Sequence, residues 1–163
     1  MSGTLSPSAQ RVQDALRAAG SRAVVREYAS ACRTAQEAAA VLGCDLAQIA
    51  KSIVFRGEAS GRPILVITSG AHRVDRDKVA RLVGERPGKA DADYVREHTG
   101  FVIGGVAPIA LARPATVLFD ETLLRFSTIF PAGGTPQAMF EIAGEELVRV
   151  SGATVADVIE LAP

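Results

Sequence analysis

Two apolar, β-branched runs constrain this chain more than any other feature: Lys51-Ser52-Ile53-Val54-Phe55 and Ile64-Leu65-Val66-Ile67-Thr68, on either side of a polar, glycine-bearing stretch at 57–62. Such residues suit a pleated, half-buried surface, and a short polar turn between two of these runs joins them as antiparallel neighbours. The sequence therefore predicts a central hairpin.

Helix signals surround it. Ser6, Pro7 and the apolar series Val12, Ala15, Leu16 and Ala19 ahead of Gly20 predict a first helix, and Val24, Val25 and Tyr28 a short strand after it. Thr34-Ala35-Gln36-Glu37 is a capping box that opens an alanine-rich helix closed by Gly43, and Asp45-Leu46-Ala47-Gln48 repeats the pattern just before the hairpin. Asp75 and Asp91 cap two further helices that stop at Gly84 and Gly100. Strands are expected at Phe101-Val102-Ile103, Thr116-Val117-Leu118-Phe119, Ser127-Thr128-Ile129-Phe130 and Ala138-Met139-Phe140-Glu141-Ile142. A helix is expected over 145–150, and the box Thr154-Val155-Ala156-Asp157 predicts another running to Leu161. Strands and helices do not alternate regularly, so the class is α+β: one domain over 1–163, core about 6–161, with a curved, mostly mixed, barrel-like sheet flanked by helices.

A chain of 163 residues, 48% hydrophobic, can bury a full core, since a domain of this size removes roughly 68–70% of its unfolded surface from water. Its 18 basic and 18 acidic residues cancel, which excludes the strongly basic balance of a protein that coats nucleic acid and argues against a DNA partner. No run approaches the ~20 apolar residues of a membrane span, and the N-terminus lacks the charged and apolar regions of a signal peptide. A cytoplasmic protein is expected. Cys32 and Cys44 are too few for a disulfide framework and read as reduced thiols; with His72 and His98 they follow no metal-site spacing, so no metal is expected.

Three features can carry chemistry. Gly104-Gly105-Val106-Ala107-Pro108 lets the backbone approach a ligand with its N–H groups bare, or it is a plain strand-ending turn. Pro131-Ala132-Gly133-Gly134-Thr135-Pro136 is a second glycine turn, able to face the first across a pocket or simply to close a hairpin. Lys51, at the start of an apolar strand, either snorkels to water or points into a cleft toward a carbonyl or phosphate. Arg73, Arg76 and Arg81 gather around one helix, as a weak phosphate contact or as a solvated face shared with Asp75 and Asp77. Tyr28 and Phe130 fit a pocket wall or the core equally well. Hydrolase signatures such as Gly-x-Ser-x-Gly and His-Glu-x-x-His are absent.

Taken in order, Tyr28, the Thr34 helix, Ala50 to Phe55 led by Lys51, Val74-Asp75-Arg76-Asp77-Lys78-Val79-Ala80, Thr99-Gly100-Phe101-Val102-Ile103-Gly104-Gly105-Val106-Ala107-Pro108 and Pro131-Ala132-Gly133-Gly134 resemble the YbaK/EbsC family. These are free-standing relatives of the editing domain inserted in bacterial prolyl-tRNA synthetases. The resemblance implies an aminoacyl-tRNA deacylase acting in trans without cofactor or metal. It would hydrolyse the ester at the tRNA 3′ adenosine, most simply on tRNA(Pro) carrying alanine or cysteine. It assigns Lys51, Gly104 and Gly105 to catalysis, and Tyr28, Val106, Pro108, Phe130, Ala132, Gly133 and Gly134 to substrate binding. The expected partners are the acceptor end of aminoacyl-tRNA and a synthetase. Ala132 stands where cysteine-directed members tend to carry serine, and Met139 where they carry an acidic residue. A small apolar wall suits a small side chain such as alanine, though a methyl-sized difference supports only ~1–3 kcal/mol of discrimination. Absence of a visible general base leaves a second reading, a non-catalytic module that binds a tRNA 3′ end or a synthetase; a pocket for a free amino acid or nucleotide ranks behind both.

Overall fold

The structure, a computed structural model, describes residues 4–29 and 34–161; Cys32 lies outside them. The predicted hairpin is its centre. β2 (Ile49–Gly57) and β3 (Pro63–Ser69) pair antiparallel in unbroken register from Ala50↔Ser69 to Arg56↔Pro63. All seven residues of β3 are buried, as its two-sided apolar sequence requires. β5 (Thr116–Asp120) lies parallel to β3, and β8 (Thr154–Ala156) parallel to β5. On the other flank β2 meets β4 (Pro87–Lys89) and β6 (Phe130–Pro131), giving a mixed sheet in the order β4-β2-β3-β5-β8 with β6 also on β2. The sheet is open rather than barrel-like, because β4 and β8 form its two ends. A separate ribbon pairs β1 (Val25–Glu27) with β7 (Ala138–Phe140).

The helices are α1 (Pro7–Ala18), α2 (Ala35–Leu42), α3 (Arg76–Val83), α4 (Ala92–Thr99) and α5 (Gly144–Ser151). Local sequence explains their limits. Thr34 and Glu37 form the reciprocal capping box of α2; Asp75 and Asp91 cap α3 and α4; Gly43, Gly84 and Gly100 end them in the left-handed region. One core, with Val12, Leu16, Leu65, Ile67, Phe101 and Phe119, fills the space between α1 and one face of the sheet, and Phe55, Ile64, Val66, Val79 and Leu118 fill the other face.

Two predicted elements do not form, and the strand expected over 127–130 is reduced to Phe130–Pro131. Phe101-Val102-Ile103 forms no strand: it lies between Gly100 (φ +80°) and Gly104 (φ +90°), which turn the chain away from any partner, while Phe101 buries and Val102 and Ile103 stay exposed. Residues 154–161 form no helix; Thr154–Ala156 adds instead to the edge of β5, where β-branched residues gain a ladder that one short helical turn would not supply.

Candidate functional site

β2 borders β3 along its length, but on its other side β6 pairs only with Ile49 and Ala50, and β4 only with Phe55, Arg56 and Gly57. Between those contacts a cavity of about 370 Å³ opens beside Lys51, Ser52, Ile53 and Val54. Its remaining wall is mostly apolar, with small side chains at Ala38, Ala50, Ala90, Ala132 and Ala138 and larger ones at Ile49, Ile103 and Met139, and hydroxyls come from Thr34, Ser52 and Thr135. Lys51 is the only ionisable side chain on the described lining.

Lys51 is half-buried, and its Nζ donates to the His72 carbonyl at 2.9 Å. Burial, reinforced by the nearby Arg73 charge, holds its pKa below the usual lysine range, while Asp120 opposes the shift. Asp120 itself is fully buried; it accepts from Thr68 Oγ1 (3.1 Å), Ser69 N–H (3.0 Å), Thr122 N–H (2.9 Å) and Thr122 Oγ1 (2.8 Å). That carboxylate locks the end of β3 beside the lysine, since Lys51 and Thr68 are direct cross-strand partners.

Both glycine turns reach the cavity, as the sequence suggested they can. The first contributes Ile103, Gly104 and Val106, the second Ala132, Thr135 and Pro136. Residues 102–105 form a β-turn closed by the Gly105 N–H donating to the Val102 carbonyl (2.9 Å), with Gly104 at the positive-φ position. The Gly105 amide is therefore engaged, whereas those of Gly104 and Val106 have no hydrogen-bond partner among the described residues. Gly105 serves another purpose: a Cβ there would lie 2.7 Å from Thr135 main-chain atoms, so its missing side chain lets the two turns touch.

α1 supports both turns. Arg11 donates to the carbonyls of Thr99 and Ala110, each at 2.9 Å, and lies over the Phe101 ring at 4.2 Å; Ala110 holds a positive φ of +61°. Gly134 packs against Ser8 and Val12 of the same helix, and Gly133 against Val25 and Ala138.

Of the expected site residues, Lys51, Gly104, Val106 and Ala132 meet at the cavity, with Gly105 directly behind. Gly133 and Gly134 seat the second turn rather than line the cavity. Pro108 is buried and faces a different depression, beside Ile109 and Val150. Tyr28 and Phe130 pack near Met139 and line a depression on the other side of β7. Arg73 stands near Lys51, Arg76 lies over the Phe55 ring at 5.3 Å, and Arg81 sits in the last turn of α3; all three are exposed and off the cavity wall. Ser52, Val54 and Ala138 carry no chemical motif and were not marked as site residues in the sequence. Among the described residues no three His, Cys, Asp or Glu side chains cluster as metal ligands. Burial, followed by the Asp45 charge, raises the pKa of the Cys44 thiol.

The aminoacyl-tRNA editing domain family matches residues 29–150, which carry the cavity's whole described lining. The chain belongs to that family. Its fold is that of a solved editing-domain relative described as a candidate trans-editing enzyme for prolyl tRNA synthetase: TM-score 0.90, 45% identity, covering 96% of this chain and 99% of that one. The chain is 36% identical over 127 residues to YwhH, a protein of uncharacterized function from Bacillus subtilis (strain 168), covering 78% of this chain and 80% of YwhH. It is 32% identical over 132 residues to the proline–tRNA ligase of Stenotrophomonas maltophilia (strain R551-3), covering 78% of this chain but 23% of the ligase. Similarity to EbsC of Enterococcus faecalis (strain ATCC 700802 / V583), described as a candidate Cys-tRNA(Pro)/Cys-tRNA(Cys) deacylase, is 23% over 128 residues, or 77% of this chain and 76% of EbsC.

Proposed function

We propose that this editing domain is a trans-acting deacylase that hydrolyses the ester between a small non-cognate amino acid, alanine in the first place and cysteine in the second, and the terminal adenosine of tRNA(Pro). One observation carries the reading: Lys51, Gly104 and Val106 line one cavity of an editing-domain fold, and the main-chain amides of the last two have no partner among the described residues. The relatives described as a trans-editing enzyme for prolyl tRNA synthetase and as a Cys-tRNA(Pro) deacylase support the substrate class.

Water adds to the ester carbonyl, giving a tetrahedral oxyanion; the two amides hold that charge, and collapse expels the ribose oxygen, which takes up a proton as the amino acid leaves. Lys51 orients the carbonyl or an adjacent phosphate as a point charge, and a neighbouring ribose hydroxyl organises the water. The steps use water, main-chain amides and Lys51, with no cofactor or metal. Ala132 and Ala138 in the wall suit a methyl side chain better than a thiol-bearing one. Arg73, Arg76 and Arg81 touch acceptor-stem phosphates weakly, consistent with 18 basic residues against 18 acidic ones. Among the described residues no helix is long and apolar enough to cross a membrane. A tRNA substrate supports a cytoplasmic setting, with a synthetase as a further partner.

The test is a deacylation panel: tRNA(Pro) charged separately with alanine, cysteine, serine and proline, incubated with wild type and Lys51→Ala. Wild type should discharge Ala-tRNA(Pro) fastest and leave Pro-tRNA(Pro) intact, and Lys51→Ala should be slower by about 10²–10³-fold. Stable ester in every lane, with tRNA still bound, would favour the binding module, a reading motivated by a described lining without carboxylate, imidazole or thiol.

A further inference from the structure

The cavity floor is an unfinished sheet edge. Main-chain groups alternate sides along a strand. The Ile49 carbonyl accepts from Gly70 N–H (2.7 Å) and the Gly57 N–H donates to the Arg62 carbonyl (2.9 Å), both toward β3, while Glu58 N–H donates to Arg86 on the β4 side (2.9 Å). With the register unbroken from Ala50 to Arg56, the N–H and C=O of Ser52 and Val54 must face away from β3, into the gap between β4 and β6. β6 pairs no further along β2 than Ala50 and β4 no nearer than Phe55, so the Ser52 carbonyl and the Val54 N–H have no ladder partner on that side, and Ser52 Oγ is likewise buried without a partner. These unspent groups line a pocket whose wall is mostly apolar, where leaving them unpaired is costly.

We propose that this stretch of β2 reads the adenine base of the acceptor end: the Ser52 carbonyl accepts from the exocyclic N6 amine and the Val54 N–H donates to N1. This deepens, and rests on, the deacylase reading above. The pattern of the edge selects the ligand. A carbonyl at one residue and an N–H two residues on require a donor and an acceptor side by side, which the Watson–Crick edge of adenine presents. An α-ammonium has donors only and would strand the Val54 N–H; a phosphate has acceptors only and would strand the Ser52 carbonyl. Ile103, 59% exposed at the cavity mouth beside Gly104, offers an apolar surface to the ring face.

The experiment is calorimetric titration of the full chain with 3′-alanylamino-3′-deoxyadenosine, whose amide resists hydrolysis. Two counterparts follow, one with purine in place of adenine (no N6 amine) and one with 1-deazaadenine (no N1). Each counterpart should bind roughly 2- to 10-fold more weakly, the loss expected for one neutral hydrogen bond. Val54→Pro deletes the donor without touching the β3 ladder, because that N–H faces the gap. In this variant adenine and 1-deazaadenine ligands should bind alike, while purine remains weaker than adenine. Equal affinity of all three ligands for wild type overturns the proposal, whether or not Val54→Pro folds. Wild-type deacylation, run on the same preparation, separates the two failures: hydrolysis with a flat base series overturns the adenine site alone, whereas no hydrolysis and no binding of the adenosine amide overturns the deacylase reading with it.

Discussion

Gly105→Ala tests whether contact between the two glycine turns builds the site. The glycine's φ lies outside the left-handed region, so alanine adds no backbone strain there and the whole effect comes from space. The new methyl would stand 2.7 Å from both Cα and C of Thr135 and 2.9 Å from Pro136 N, all main-chain atoms that cannot rotate aside. The turns must part by roughly half an ångström, and overpacking of this kind costs about 1–3 kcal/mol. For a chain of this length that lowers Tm by about 3–10 °C. Parting also moves the Gly104 and Val106 amides relative to Ala132 across the cavity, and a displacement of that order should lower kcat/KM for Ala-tRNA(Pro) by about 10-fold or more. Gly84→Ala is the control: its φ of +85° imposes left-handed strain, about 1–2 kcal/mol, with nothing within 4 Å of the methyl. It should lower Tm modestly and leave deacylation unchanged. Scanning calorimetry and initial deacylation rates read both effects. Gly105→Ala with wild-type Tm and rate would refute the claim that the turns are held in contact.

Arg11→Met removes two hydrogen bonds from a guanidinium to loop carbonyls and should cost about 2–4 kcal/mol in urea unfolding, with deacylation falling alongside; an unchanged urea midpoint would deny Arg11 its role as a support. Asp120→Asn turns one of the two oxygens that face four donors into a donor itself, so a loss of about 3 kcal/mol is expected, and wild-type stability would contradict the hydrogen-bond geometry. Lys51 binds its proton less tightly folded than unfolded, because burial and Arg73 depress its pKa from 10.5. The unfolded chain therefore carries more protons in the window just below that value, and this residue's contribution to stability rises with pH there. The stability difference between wild type and Lys51→Met should increase from pH 8 to pH 10 in urea titrations; parallel curves would rule the coupling out.

Much of the fold was legible because its signals are local. The Thr34–Glu37 box, the Asp75 and Asp91 caps and the glycine stops each act within one helical turn, and the hairpin follows from two β-branched runs. The same local reasoning misassigned Phe101-Val102-Ile103, where strand-forming residues have no neighbour to pair with, and Thr154-Val155-Ala156, where a cap-like pattern lost to the vacant edge of β5. At the site, Lys51, Gly104, Val106 and Ala132 were legible as residue types, and the sequence also suggested that the two glycine turns meet across a pocket. The open edge at Ser52 and Val54 was not: main-chain donors carry no residue signature, and the gap exists only because β4 and β6, from distant parts of the chain, stop short of each other.

α1 precedes the segment, 29–150, by which the family is recognised, yet it grips both turns, through Arg11 on one and Ser8 and Val12 on the other. Pruned to its recognisable portion, the domain would keep the cavity's described wall residues and lose the brace that sets their spacing. Excision boundaries, and any transplant of this module into another polypeptide, therefore have to begin upstream of Pro7.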